Sequence, residues 1–520
     1  MTDRINVLLV GGGGREHALA VKLRQSARLG DLWIANPENP GLAALGKPAD
    51  VPVNVREAYR AQQFCEKNNI GLVVIGPEEP LAEGLADKLA TPTTLVFGPT
   101  AEGAQIESNK AWAKALLRAA SVPIAEGRAF TDPLAAFAWL AAKVRNDKTL
   151  HVVLGPVRDF ESDDQKRAFI VSRIPDALAK LPPSSAGPVE AQARAQTVLT
   201  LAVAAADTYP ILGDRRKYFD RLLHTDATIA AATKAKISGL PVIKASGLAK
   251  GKGVVVPSTF AEAMDAIDQI MIKKIHGEAG NELVIEERLE GRELSVLAIT
   301  DGSTILTLPS CRDHKRLGEG DTGPNTGGMG VICPGEDLDE KTMHKIERDI
   351  LIPTVDALKR DGIAYRGVLY AGLMLTPAGP KVIEYNCRFG DPECQALMAR
   401  LDSDLLELLL ATAQGRLETA DVRWKSEVSC CVVLASQGYP ENPKKGVEIK
   451  GIEDAAAMPN VRIDHAGTRR GEGGKTVTGG GRVLNVTGLG STMEDARRAA
   501  YAGCDKIYFD GKVMRRDIGV

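Results

Sequence analysis

Four short apolar runs in the first hundred residues limit what this chain can fold into. "INVLLV" (5–10) stops at four consecutive glycines, Gly11–Gly14, and "REHALAVKLRQ" then carries apolar residues at helical spacing. "LWIAN", "GLVVIG" and "TLVFGP" repeat the strand half of that unit, with helical patterns between them. Short continuous apolar runs of this kind suit strands buried on both faces. Strands alternating with helices predict an open parallel sheet.

A chain of 520 residues is too long for one core, and at roughly 100–200 residues per domain it predicts three or four. The fold class expected is a multi-domain α/β protein. Residues 1–107 form its N-terminal α/β domain. "SNKAWAKALLRAASVP" (108–123) reads as one helix with a Ser/Asn start and a proline stop. "LPVIKASG", "KGVVVPS", "NELVIEERL" and "ELSVLAIT" are strands rich in β-branched residues. A helix follows near 338–360, then strands "GVLYAGLMLT" and "PKVIEYN". Residues 424–520 read as a separate small α+β domain. Between about 130 and 240 the pattern is harder to read. "HVVLG" and "RAFIVSRI" are read as strands and "AQARAQTVLTLAVAAA" as a helix, with no chemistry attached.

The net charge of −2 gives no overall attraction to nucleic acid or to an anionic membrane. No run reaches the ~18 apolar residues of a membrane span. The first residues lead straight into a strand, so no signal peptide is expected. Eight cysteines without a CxxC point to a reduced, cytoplasmic setting, with Cys430 and Cys431 as small buried strand residues. A monomer is the expectation for the oligomeric state.

Two glycine loops are candidate anion sites. In "LLVGGGGREHALA" the backbone N–H groups at a helix start can hold a phosphate. Gly11 and Gly13 fit a dinucleotide fingerprint, but Glu16 stands at its third glycine, so a tight turn without a ligand stays open. "IKASGLAKGKGVVV" fails as a Walker loop: its spacing is one short, and Gly253 stands where Ser or Thr should be. A glycine turn between two strands can instead be a flap over phosphates, with Lys244 supplying a point charge, or a plain surface hairpin. "VIEERLEGRELS" offers carboxylates where one strand ends and another begins, a weak signal for adenine and ribose contacts.

"PKVIEYNCRFGDPE" is the strongest metal candidate. Glu384 and Asn386 lie two apart on a strand and so share a face. Both offer oxygen, as a hard cation prefers. Arg388 follows, suited to a phosphoryl or carboxylate oxygen, and Asp391 and Glu393 extend the acidic cluster. A surface ion network is the alternative. "DHKRLGEGDTGPNTGGMG" (313–330) has six glycines and few apolar residues. A polar stretch this long with no structure of its own is expected to be functional or disordered. The histidines show no metal-ligand spacing.

Taken together these segments resemble an ATP-grasp ligase. With "VIGPEEPLAEGL", "FGPTAEGAQIESNKAWAK", "CCVVLASQGYP" and "GGRVLNVTGLG" added, the chain outside 130–240 resembles the phosphoribosylamine–glycine ligase family. The resemblance implies a pre-ATP-grasp N-terminal domain, a linker helix at 108–123, a lid domain over 124–300 carrying an atypical insert at 130–240, the core at 301–423 and a C-terminal domain at 424–520. It implies ATP and Mg2+ or Mn2+ as cofactors, with glycine and 5-phosphoribosylamine as substrates joined through glycyl phosphate. Another ATP-grasp carboxylate–amine ligase and a non-catalytic ATP-binding scaffold are the alternatives.

The residue roles follow from matched positions. Lys110 and Lys244 would meet the ATP phosphates, and Gly251, Lys252 and Gly253 belong to the flap. Glu286, Glu287 and Leu289 would take adenine and Glu293 the ribose. Asp313, Arg316, Asn325 and Arg388 would be catalytic, and Glu384 and Asn386 the metal ligands. Gly13, Arg15, Glu16, His17, Gly76, Pro77 and Glu78, with Asp313, Lys315 and Arg388, would form the phosphoribosylamine and glycine side. The polar loop would be ordered by those ligands. Three positions depart from the family pattern: Ser246 for Asp, Arg312 for Gln and Gly479 for Ser.

Overall fold

The glycine-terminated run Ile5–Val10 is the middle strand of a five-stranded parallel sheet in a computed structural model. Its order is Lys47–Pro48, Leu29–Ile34, Ile5–Val10, Ile70–Ile75, Leu95–Phe97. Val7, Leu8 and Leu9 are fully buried, which is why this run shows no polar alternation. The chain leaves Ile5–Val10 for a strand on one side and later returns to pair on the other. The crevice beyond the carboxyl ends of Ile5–Val10 and Ile70–Ile75 is therefore the switch point where such sheets take ligands.

The structure describes residues 4–154, 160–249, 251–335 and 338–520. They fall into two compact units, the first comprising Met1–Ser108, Trp112–Ile124 and Glu290–Val520, the second Asn109–Ala111 and Ala125–Leu289. Among the described residues the first unit holds the parallel sheet, two larger antiparallel sheets and two two-stranded ones. Ile305–Thr307, Arg292–Thr300, Gly367–Thr376 and Gly379–Asn386 form a four-stranded sheet. The other larger one is five-stranded: Arg312–Asp313, Gly330–Cys333, Val428–Ala435, Arg482–Gly490 and Val461–His465. The C-terminal segment thus shares its sheet with the two ends of the polar stretch. That stretch is not structureless: Arg316–Gly318 and Thr322–Asn325 pair as an antiparallel hairpin. All eight cysteines are unpaired and buried, and all lie in this unit. Burial pushes the Cys65 thiol up to about 11 and that of Cys430 up to about 12.

The second unit is one antiparallel sheet, Gly127–Phe130, Leu283–Glu286, Val242–Ala245 and Val254–Val255, packed with helices. The two runs read as strands at 151–155 and 167–174 are helical. Asp147–Leu154 starts at Asn146, whose side chain accepts from the Thr149 N–H at 3.1 Å; Gly155 lies outside the described residues. Asp163–Ala179 starts at Ser162, with Asp163 and Asp164 in its first turn. Its buried residues Ile170, Ile174 and Ala177 recur at helical spacing. A five- to eight-residue apolar run reads alike in either state, and here the caps decide. These helices are not an appendage. Phe137, Ile174, Val198, Leu201 and Phe219 share one core with Ile243 and Ile285 of the sheet.

Candidate active site

Lys244 and Glu286 lie on neighbouring strands of the second unit, Val242 opposite Glu286 and Lys244 opposite Val284. The pleat puts them on one face as a diagonal pair, and the two side chains form an ion pair, each only 3% exposed. Lys110 begins the helix Lys110–Ala119, so the helix expected from 108 opens two residues later. Its backbone N–H donates to the Ser246 carbonyl at 2.9 Å and its Nζ to the Gly247 carbonyl at 3.2 Å. The Ser246 hydroxyl accepts from the Ala111 N–H and donates to Asn109 Oδ1, both at 3.1 Å. Ser246 therefore ties Asn109–Ala111 to the strand that carries Lys244.

The turn after that strand joins two paired strands, as a flap requires. Gly251 has φ +74° with open space around it, and Lys252 is exposed. Gly253 is needed for space: a Cβ there would stand 2.7 Å from the Ala249 Cβ. Glu287 turns toward Glu126, donating its N–H to that carbonyl at 2.7 Å and accepting from the Glu126 N–H at 3.1 Å. Leu289 is half-buried beyond it.

In the first unit, Glu16 explains two glycines of the N-terminal loops. Its carboxylate accepts from the Gly13 N–H at 2.7 Å and from Arg15 Nε at 2.6 Å. A Cβ on Gly11 or Gly76 would collide with its side chain. A glutamate stands where a dinucleotide fold brings pyrophosphate, and it takes one of the N–H groups that would bind it. Pro77 caps the helix Glu78–Ala82. Arg388 binds Glu78 at 3.2 Å and Glu107 at 3.0 Å, while Arg15 donates to the Phe389 carbonyl at 3.0 Å. Burial opposes the charge on Glu78, but Arg388 and Arg15 outweigh it and hold its carboxyl below the usual range. Gly13, Arg15, Glu16, Gly76, Glu78 and Arg388 thus form one cluster at the switch point. His17 is turned away, its Nδ1 2.9 Å from Asp464 Oδ1 and its ring 5.4 Å from that of His465.

A second cluster of the same unit gathers Glu293, Lys315 and Glu384. Lys315 Nζ lies 3.4 Å from Glu293 and 3.8 Å from Glu384. Burial pulls its pKa down, but Glu293, Glu384 and Asp313 outweigh that and the net shift is upward. Glu384 and Asn386 share a face of Gly379–Asn386 and are both half-buried. The opposite residue is Gly372, whose missing side chain leaves room for Glu384. Asp391 and Glu393 do not join them. Asp391 accepts from the Arg15 N–H at 3.4 Å and from Gln395 at 3.0 Å, and Glu393 is buried with Tyr370 at 2.6 Å. Among the described residues no group of three or more His, Cys, Asp or Glu could hold a metal. The oxygen pair Glu384 and Asn386 fits a hard cation that completes its shell with phosphate and water.

Asp313 lies beside these residues with its Oδ1 out of reach of solvent and without a hydrogen-bond partner. Burial and the nearby Glu393 push its carboxyl well above the usual range. Arg316 donates to the Gly323 carbonyl at 2.8 Å and sits opposite Asn325 in the hairpin, and Asn325 is exposed. His314 is structural, its ring between the Gly330 carbonyl at 3.2 Å and the Gly519 N–H at 3.4 Å.

Sequence reasoning did not single out Glu107 or Arg482. Glu107 also accepts from the Cys387 N–H at 2.8 Å, and an acid facing inward from a helix was its only signal. Arg482 donates to the Asp391 carbonyl at 2.6 Å and to the Gly327 carbonyl, and the glycines of "GGGR" before it were the clue. Of the departures, Arg312 donates to the Val520 carbonyl at 3.1 Å, and a Ser at Gly479 would press on the stem of Arg469.

Known proteins match along this whole length. Residues 5–107 match the N domain of phosphoribosylglycinamide synthetase, 208–394 its ATP-grasp (A) domain and 429–520 its C domain. The chain is 41% identical over 518 residues to a phosphoribosylamine–glycine ligase of Rhodopirellula baltica, covering 99% of this chain and 97% of that one. It is 36% identical over 515 residues to one of Caldanaerobacter subterraneus, covering 99% of each. The crystal structure of phosphoribosylamine–glycine ligase from Thermotoga maritima superposes with a TM-score of 0.68 at 27% identity, over 99% of this chain and 100% of that one.

Proposed function

The chain belongs to the phosphoribosylglycinamide synthetase family, and from that premise we propose how its residues divide the work of joining glycine to 5-phosphoribosylamine at the expense of ATP. The glycine carboxylate attacks the γ-phosphate, giving glycyl phosphate and ADP. The amine of phosphoribosylamine then attacks the glycyl carbonyl, phosphate leaves, and glycinamide ribonucleotide forms. The protein has little covalent work to do. It must align the groups, neutralise charge and keep water from the acyl phosphate.

Lys110, Lys244 and the flap at Gly251–Gly253 serve the ATP phosphates, Glu286, Glu287 and Leu289 the adenine, and Glu293 the ribose. Arg316 and Asn325 approach the phosphate oxygens. Glu384 and Asn386 would hold a divalent cation, magnesium or manganese, which supplies charge neutralisation at the phosphates when bound. Gly13, Arg15, Glu16, Gly76, Pro77, Glu78 and Arg388 serve phosphoribosylamine and glycine; His17 supports that loop through Asp464. The observation that carries the reading is Asp313. A buried carboxyl oxygen without a hydrogen-bond partner is costly unless something pairs it, and a substrate amine beside Lys315 and the Glu384 strand would satisfy it. A cytoplasmic monomer is the matching expectation, and no described helix is long and apolar enough to cross a membrane.

The test is conversion of ATP to ADP with magnesium, omitting glycine or phosphoribosylamine in turn. The unstable amine is generated in situ. Turnover that needs both substrates, stops with a chelator and yields glycinamide ribonucleotide is expected. Arg316→Ala and Asn325→Ala should each lose most of it; unchanged turnover in either removes the hairpin from the site.

A further inference from the structure

The hairpin that carries Arg316 and Asn325 has little with which to hold itself in place. Leu317 and Pro324 are its only apolar side chains, and residues 319–325 are exposed. An isolated two-stranded hairpin is marginal in water. What holds this one comes from the other end of the chain. Arg515 is 2% exposed and donates to the backbone carbonyl of Arg316 at 3.1 Å and to Asp321 Oδ1, at the hairpin turn, at 2.8 Å. The same guanidinium grips Asp517 through two bonds of 2.7 Å. Asp517 accepts in turn from the Gly320 N–H at 2.8 Å, and the Arg516 N–H donates to Glu319 at 3.1 Å. A planar fork bound to a carboxylate on one side keeps its remaining donors in a fixed direction.

We propose that Arg515, oriented by Asp517, is a positioning residue of the ligase: it holds the hairpin Arg316–Asn325 in the form that presents Arg316 and Asn325 to ATP. The inference rests on the roles given above to those two residues. It adds an intrachain clamp to the expectation that ligands order the polar stretch. Asp321 marks the same point from the hairpin side. It is 72% exposed in its side chain and sits at φ +53°, a conformation Asn also tolerates.

The experiment pairs steady-state kinetics with amide hydrogen exchange on Arg515→Met, Arg515→Lys and Asp321→Asn, with Arg316→Ala alongside. Arg515→Met is expected to speed exchange across 316–325 while Val428–Ala435 stays protected, and to raise the KM for ATP roughly tenfold as the contact residues lose alignment. Arg515→Lys should recover part of this, since an ammonium can keep one partner but not the fork. Asp321→Asn, too exposed to threaten folding, should raise the same KM a few-fold and leave the KM for glycine alone. Faster exchange in the hairpin with unchanged KM and kcat would overturn the proposal. So would an Arg515→Met loss that tracks general unfolding while Asp321→Asn behaves as wild type. Arg316→Ala with wild-type kinetics would instead sink the reading of the site, and the exchange data would still report whether the clamp exists.

Discussion

Each unit of this chain sets a lysine against glutamate, and the settings differ. In the second unit Lys244 and Glu286 are sealed from water on adjacent strands. In the first, Lys315 stands 3.4 and 3.8 Å from two glutamates, with a third of its side chain and half of that of Glu293 in contact with solvent. A sealed pair is fixed by desolvation: removing one partner takes a compensating charge from the other where water cannot replace it. An open, long pair can exchange partners at small cost. The first arrangement suits a charge fixed in place, the second a charge that can regroup.

The largest effect that tests this contrast is Lys244→Met. Taking its buried lysine partner from Glu286 should destabilise the second unit by about 3–5 kcal/mol, read by urea unfolding. Adding Glu286→Leu should return most of that stability and none of the ATP turnover. Lys315→Met should cut turnover about as deeply while costing under about 1 kcal/mol of stability. Equal stability losses in the two single variants would erase the distinction.

Acid should act on the first unit next. Burial, with Arg312 nearby, lowers the His314 pKa to about 4, and burial, with His17 nearby, lowers that of His465 to about 4, from an ordinary 6.5. Between those values the unfolded chain binds more protons than the folded one, so stability falls as pH drops from 6.5 toward 4. His314→Gln should flatten that fall in the urea midpoint. The smallest effect is Ser246→Ala, which removes two hydrogen bonds beneath Lys110. About 1 kcal/mol and a modest rise in the KM for ATP are expected, with Ser246→Asp, the residue usual in the family, restoring the acceptor to Ala111.

The parallel sheet was legible because its strands are unmixed apolar runs ending in glycine, a signal that is both local and strong. The helices at 147–154 and 163–179 were not, because short apolar runs carry no period long enough to separate helix from strand. The partners of 313–330 were hidden for a different reason: Gly330–Cys333 pairs with Val428–Ala435, a hundred residues away, and no local pattern encodes that. At the site, residue types could be read and side-chain directions could not. Glu16 was visible as a misfit to a dinucleotide fingerprint. That it folds back onto Gly13 is a matter of geometry, as is the turn of His17 toward Asp464.

The distribution of cysteine gives the molecule a one-sided clock. All eight thiols are buried in the first unit, and residues 125–289 contain none. An alkylating reagent must therefore wait for the first unit to open, and its rate of incorporation times that opening. The second unit can loosen, close on a ligand or unfold without leaving a mark on the same record.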